Sequence, residues 1–113
     1  PNLTPAQLNE ALQALTESAE LKMSDGIAAY RGEKNTPLVR AFLAAIRKNG
    51  GNPTFSVKSG TADMNIVAPV WGTPILAYGP GDSALDHTPE EHILLSEYRY
   101  AITTVTNVLI TLA

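Results

Sequence analysis

The chain has no cysteine, only two histidines and 6% aromatic residues among its 113 positions. Without cysteine there is neither a disulfide framework nor a thiolate-bound metal. Charge is also scarce, at 17% of residues, and the net balance of −3 leaves no basic footprint for nucleic acid. No run of Lys and Arg offers a patch for a membrane surface. No apolar run approaches the ~18 residues that a span requires, and no secretory leader is recognisable. Internal repeats and low-complexity tracts are missing too. These absences point to a cytoplasmic protein with neither nucleic-acid nor membrane partners. The chain opens at Pro1 without Met, which reads as a fragment or a processed piece.

What is present is globular in composition. Hydrophobic residues make up 44%, and the length suits one domain that buries most of its apolar surface. The run Leu3-Thr-Pro-Ala-Gln-Leu8 reads as a helix start. Thr4 caps, Pro5 suits the first turn, Gln7 completes a capping box and Leu3 can staple onto Leu8. Leu8, Ala11, Leu12, Leu15 and Ala19 follow at helical spacing. Residues 20–31 read as strand, with Leu21 and Met23 on one face, interrupted by the Asp25-Gly26 turn signal. The polar stretch 31–35 is the best candidate boundary. Thr36-Pro37 starts a second helix with Leu38, Phe42, Ala45 and Ile46 as its stripe, and Asn49-Gly50-Gly51 stops it.

The second half alternates shorter signals. Residues 54–58 alternate as a strand does, with Phe55 and Val57 on one face. Residues 64–71 contain a short helix ending near Pro69. Residues 74–78 are apolar without alternation, as in a strand covered on both faces. Thr88-Pro-Glu-Glu91 repeats the helix-start signature, and a last helix from about Ser96 carries Tyr98, Ile102, Val105, Leu109 and Leu112 on one face. Helices alternating with strands from residue 36 predict an α/β fold: a partial parallel sheet flanked by helices, preceded by a helix-strand tail. So small a sheet leaves an exposed edge, which an oligomer would cover.

The chemistry concentrates in two polar, glycine-bearing loops, each directly after a strand-like run. In open α/β sheets such loops face the ligand crevice. In the first, Ser59, Gly60, Thr61, Asp63 and Asn65 have the makings of a substrate loop: Gly60 permits close backbone approach and Thr61 offers a hydroxyl. The same pattern makes an ordinary capped strand-to-helix turn. In the second, Gly79 and Gly81 flank Pro80 in a rigid loop around a ligand's carboxylate, or in a plain strand terminator.

His87 follows, a candidate metal ligand or else a surface or capping histidine before Thr88-Pro89. One histidine cannot make a zinc site, which wants about three protein ligands. The sequence has no His-x-Glu-x-x-His helix, no phosphate-loop pattern and no nucleophile elbow. Asp63, Asp82, Asp86, Glu90 and Glu91 could add oxygens, but Glu90 and Glu91 better suit a capping box and a helix dipole.

Three motifs in order carry a family resemblance: Lys58-Ser-Gly-Thr-Ala-Asp-Met-Asn65, Ala77-Tyr-Gly-Pro-Gly-Asp-Ser83 and Leu85-Asp-His-Thr-Pro-Glu-Glu91. Together they resemble the C-terminal part of the two-zinc amidohydrolases, which include acetylornithine deacetylase, succinyl-diaminopimelate desuccinylase and aminoacylase. The likeness is greatest to the branch that releases lysine or ornithine from an acetyl group or an amino-group carrier protein. It matches about the last third of such an enzyme.

The resemblance implies that residues 1–33 are the tail of a lid domain that dimerises, and residues 34–113 the C-terminal portion of the catalytic domain. It makes His87 a ligand to one of two zinc ions, with the other ligands and the general base lying in sequence outside this chain. It assigns the loop around Gly60 to the substrate's amino-acid portion. Ala62 departs from the family's common serine. The implied partner is a small N-acyl amino acid or a carrier protein. The chain alone then lacks the catalytic machinery, and a non-catalytic binding or assembly domain is the alternative.

Overall fold

Capping chemistry decides where the helices begin. In the computed structural model, which describes residues 2–16, 19–58 and 60–113, α1 runs Pro5–Leu15 behind the complete Thr4–Gln7 capping box. The Gln7 amide donates to Thr4 Oγ1 at 3.2 Å, and the Thr4 amide donates back to Gln7 Oε1 at 2.9 Å. α2, Pro37–Lys48, starts the same way, with the Val39 amide donating to Thr36 Oγ1. It ends where Gly50, at φ 84°, turns the chain left-handed. α3 spans Asp63–Trp71 and α4 spans Leu95–Leu112. A single 3-10 turn, Ser83–Leu85, lies between them.

The chain divides into two units, one of Pro1–Gly32 with Val57–Thr73 and one of Glu33–Ser56 with Pro74–Ala113. In the second unit α2 packs on α4, with Ala41, Ala45 and Val108 at the centre and Leu38 and Phe42 alongside. The buried face of α4 is Ala101, Thr104 and Val108, a stripe of small side chains at helical spacing. Such residues permit close approach of two helices. Two bonds tie the pair: Asn49 Nδ2 donates to the fully buried Thr104 Oγ1 at 3.0 Å, and the Tyr100 hydroxyl to the Ile46 carbonyl at 2.8 Å. The Phe42 and Tyr78 rings meet at 5.0 Å, which anchors the start of the following loop.

The first unit has little interior. α1 buries no residue and α3 only Ala68. Leu3, Leu8, Met23 and Ile27 line an open apolar groove of about 290 Å³. Asp25 takes φ 48°, the left-handed conformation of a turn residue. No helix among the described residues is long and apolar enough to cross a membrane.

The expected α/β architecture, a partial parallel sheet flanked by helices, does not form. Among the described residues no strand is present, and the architecture is helical. Residues 20–31, 54–58 and 74–78 run without regular structure where strands were expected. Alternation in a sequence specifies which residues share a face, but a strand exists only when a neighbour accepts and donates its ladder bonds. Among the described residues no such neighbour pairs with these segments, and Pro53 and Pro74 offer no donor at their edges.

Two further expectations change. Residues 88–91 form turns instead of starting a helix. α3 continues past Pro69 to Trp71, without the bond that residue 69 would otherwise donate to the Asn65 carbonyl, and Gly72, left-handed at φ 61°, is what stops it.

Candidate functional site

The residues singled out by sequence fall in both units. Gly60, Thr61, Asp63 and Asn65 belong to the first, and Gly79, Gly81 and His87 to the second. Ser59 lies outside the described residues.

In the first unit, Thr61, Asp63 and Asn65 gather at the N-terminus of α3. Ala62 is the cap residue but has no side chain to cap with. Asn65 supplies the returning half of a capping box, its Oδ1 accepting from the Ala62 amide at 3.1 Å. Its Nδ2 donates to the Ala28 carbonyl at 3.1 Å, so both ends of the carboxamide are engaged inside the unit. Asp63 occupies the first turn, where a carboxylate suits the positive end of the helix dipole. Thr61 is exposed. A Cβ added to Gly60 would meet no atom within 4 Å, so crowding among the described residues does not require glycine there.

In the second unit, the loop from Tyr78 to Glu91 is a chain of short turns. A Cβ on Gly79 would also meet nothing within 4 Å, whereas Gly81, at φ 95°, is a glycine that the backbone requires. Gly79 and Pro80 border an apolar groove of about 280 Å³ whose other wall includes Tyr98, Ile102 and Val105 of α4. Asp82 then caps the 3-10 turn, its Oδ1 accepting from the Ala84 amide at 2.9 Å.

His87 follows in an exposed position with φ 66°. Its amide donates to Glu91 Oε2 at 2.9 Å. The Thr88 amide and hydroxyl both donate to the Leu85 carbonyl, at 3.0 and 2.8 Å. The loop therefore presents the imidazole from a backbone fixed on both sides. His92, by contrast, spends Nδ1 on the Glu90 carbonyl at 2.7 Å.

A sequence profile of the peptidase family M20/M25/M40 matches residues 4–111, nearly the whole chain. The chain belongs to this family. It is similar to the LysW-lysine hydrolase of Deinococcus radiodurans, 50% identical over 111 residues, which is 96% of this chain and 31% of that protein. A proposed LysW-lysine/LysW-ornithine hydrolase of Thermococcus kodakarensis is 53% identical over 85 residues, 75% of this chain and 25% of the relative. The LysW-lysine/LysW-ornithine hydrolase of Sulfurisphaera tokodaii is 35% identical over 91 residues, 80% of this chain and 26% of the relative. The chain thus spans about a quarter to a third of the length of these curated relatives.

The M20/M25/M40 family generally binds metal ions. Among the described residues, however, no three His, Asp or Glu side chains come together as a metal-holding group. A zinc centre needs about three protein ligands, so the donor set here does not fit a metal site by itself. His87 is one imidazole, and no chemical step through a metal follows from these residues.

One residue escaped the sequence reading. Glu91 looked like a helix-capping carboxylate, and the structure gives it the His87 amide instead. The usable signal was its spacing, four residues after a histidine and two after a proline that cannot donate.

Proposed function

We propose that this chain is the C-terminal part of a hydrolase of the M20/M25/M40 family that frees lysine or ornithine from an amide. The 50% identity across 96% of the chain to a relative named as a LysW-lysine hydrolase is the observation that carries this reading. Water adds its oxygen to the amide carbonyl carbon, the C–N bond breaks, and the released amine takes the proton. The bound amine is held either by an amino-group carrier protein, as the relatives' names indicate for them, or as a small N-acyl amino acid.

Within that reading His87 is a ligand to one of two zinc ions whose remaining ligands lie elsewhere in the intact enzyme. Ser59, Gly60, Thr61, Asp63 and Asn65 form one substrate loop, and Gly79 and Gly81 a second. The uncrowded surroundings of Gly60 and Gly79 support this, because both glycines leave room for an approaching group. Residues 1–33 are the tail of a lid and dimerisation domain and residues 34–113 the end of the catalytic domain. The chain changes unit between Gly32 and Glu33, while Val57–Thr73 groups with the first unit, so that division rests on the family relationship. The enzyme works in the cytoplasm as a homo-oligomer, and this chain alone is inactive.

The test is a hydrolysis assay on the intact enzyme that contains this chain, supplied in parallel with lysine linked to the carrier protein and with N-acetyl-lysine. Release of free lysine is expected from at least one of them. Outer partners of a metal ligand are each worth ~10–100-fold, so removing the ligand by His87→Ala should lower the rate by about 100-fold or more. No release from either substrate, or an unaltered rate in the variant, would sink the reading.

A further inference from the structure

We propose that Glu91 is the positioning residue for His87. Its carboxylate accepts the His87 amide, holds that residue in the left-handed conformation, and so fixes where the imidazole is presented. The inference rests on the reading of His87 given above and extends it to a residue with no assigned role.

The backbone carries the argument. His87 sits at φ 66°, the left-handed region, which is uncommon for residues with a Cβ because it crowds the carbonyl oxygen, although His, like Asn and Asp, enters it more readily than most. Strain of this kind persists only where the surroundings over-determine it. Four bonds do so here. Thr88 is tied to the Leu85 carbonyl through amide and hydroxyl, which fixes the peptide after His87. The Glu91 amide donates to the Thr88 carbonyl at 3.1 Å, which folds the glutamate back toward the histidine. The Glu91 carboxylate then closes the loop on the His87 amide at 2.9 Å.

The His87 amide and the Glu91 carboxylate meet across the turn at 2.9 Å. Pro89, between them, has no N–H with which to compete. No helix begins at 88–91, so helix capping does not explain the carboxylate. A glutamate four residues on spans the turn, and a carboxylate accepting a backbone N–H makes a stronger bond than a neutral acceptor.

The experiment uses three variants. With 15N-histidine labelling of this 113-residue chain only His87 and His92 are visible, and a strong amide-to-Hα cross-peak within His87 reports positive φ. Glu91→Ala is expected to lose that cross-peak and, in the intact enzyme, to lower kcat by about 10-fold, the low end for partners that orient a ligand. Glu91→Gln keeps an acceptor at the same reach and should restore both the cross-peak and kcat to within about 3-fold, a rescue that lost folding would not give.

Asparagine tolerates the left-handed region, so His87→Asn should keep the backbone and abolish hydrolysis. A wild-type cross-peak and wild-type kcat in Glu91→Ala would overturn the positioning role while an inactive His87→Asn left the reading of His87 standing. Hydrolysis surviving in His87→Asn would overturn that reading, and the inference with it.

Discussion

The two units use the same kinds of residue to opposite effect. In the second, Val39, Ala41, Ala45, Ala101 and Val108 are buried because α2 and α4 each find a partner. In the first, α1 has an equally regular apolar stripe and buries nothing, with Leu8 left on the wall of an open groove. Apolar burial stabilises by about 25 cal/mol per Å² removed from water, so a stripe contributes only in proportion to what covers it. The first unit has polar bonds instead: the local Thr4–Gln7 box, and the two-sided grip of Asn65 on Ala62 nearby and on Ala28, distant in sequence. The difference separates a helix that the core stabilises from one that its caps define.

The sharpest way to break this comparison is a charge in the second unit's core. Val108 is 2% exposed, and Val108→Asp places a carboxylate among Ala41, Ala45 and Phe42 with no partner. The expected loss is roughly 4 kcal/mol or more, enough to abolish hydrogen-exchange protection of the α2 and α4 amides. Persisting protection there would mean that the α2–α4 contact is not what stabilises the unit. A smaller effect is expected from Tyr100→Phe, which removes the hydroxyl bonded to the Ile46 carbonyl at the end of α2. That carbonyl also accepts the Gly51 amide at 2.9 Å, so it stays satisfied and the loss should be about 1 kcal/mol in urea unfolding.

Helices were legible in the sequence because their causes are local. Thr4, Thr36 and the glycines after Lys48 act within four residues of where they stand, and the spacing of Leu38, Phe42 and Ala45 marks the packed side of α2. The sheet was misread because strands are made by neighbours: Phe55 and Val57 alternate as a strand does, yet both stay exposed without a ladder.

The packed face of α4 is not its more hydrophobic one. Tyr98, Ile102, Val105 and Leu109 are the larger apolar residues, but all are exposed while the small Ala101 and Thr104 go inside. Hydrophobicity ranks faces, whereas close helix contact selects for size. At the candidate site the loops and His87 could be named from residue type and order. The left-handed turn at His87 was not read, although histidine enters that region more readily than most residues and Glu91 stands four positions on, because the bonds of Thr88 to Leu85 and of His87 to Glu91 form only once the chain has turned.

The smallest predicted effect probes the weaker unit. Ala62 has φ −142° and ψ 164°, the extended conformation of a cap residue, and Asn65 already returns its side chain to the Ala62 amide. Only the forward half of the box is missing. Ala62→Ser supplies a hydroxyl within reach of the first-turn amides of α3 without altering the backbone. Replacing a serine cap by alanine costs about 0.5–2 kcal/mol, so the reverse change should stabilise α3 by about 0.5–1 kcal/mol at this exposed end. Thr4→Ala is the mirror experiment on α1 and should cost a similar amount. Hydrogen exchange of the α3 amides reads the gain directly. If Ala62→Ser gave no added protection while Thr4→Ala lost its share, α3 would be limited by its single buried residue, Ala68, and not by its cap.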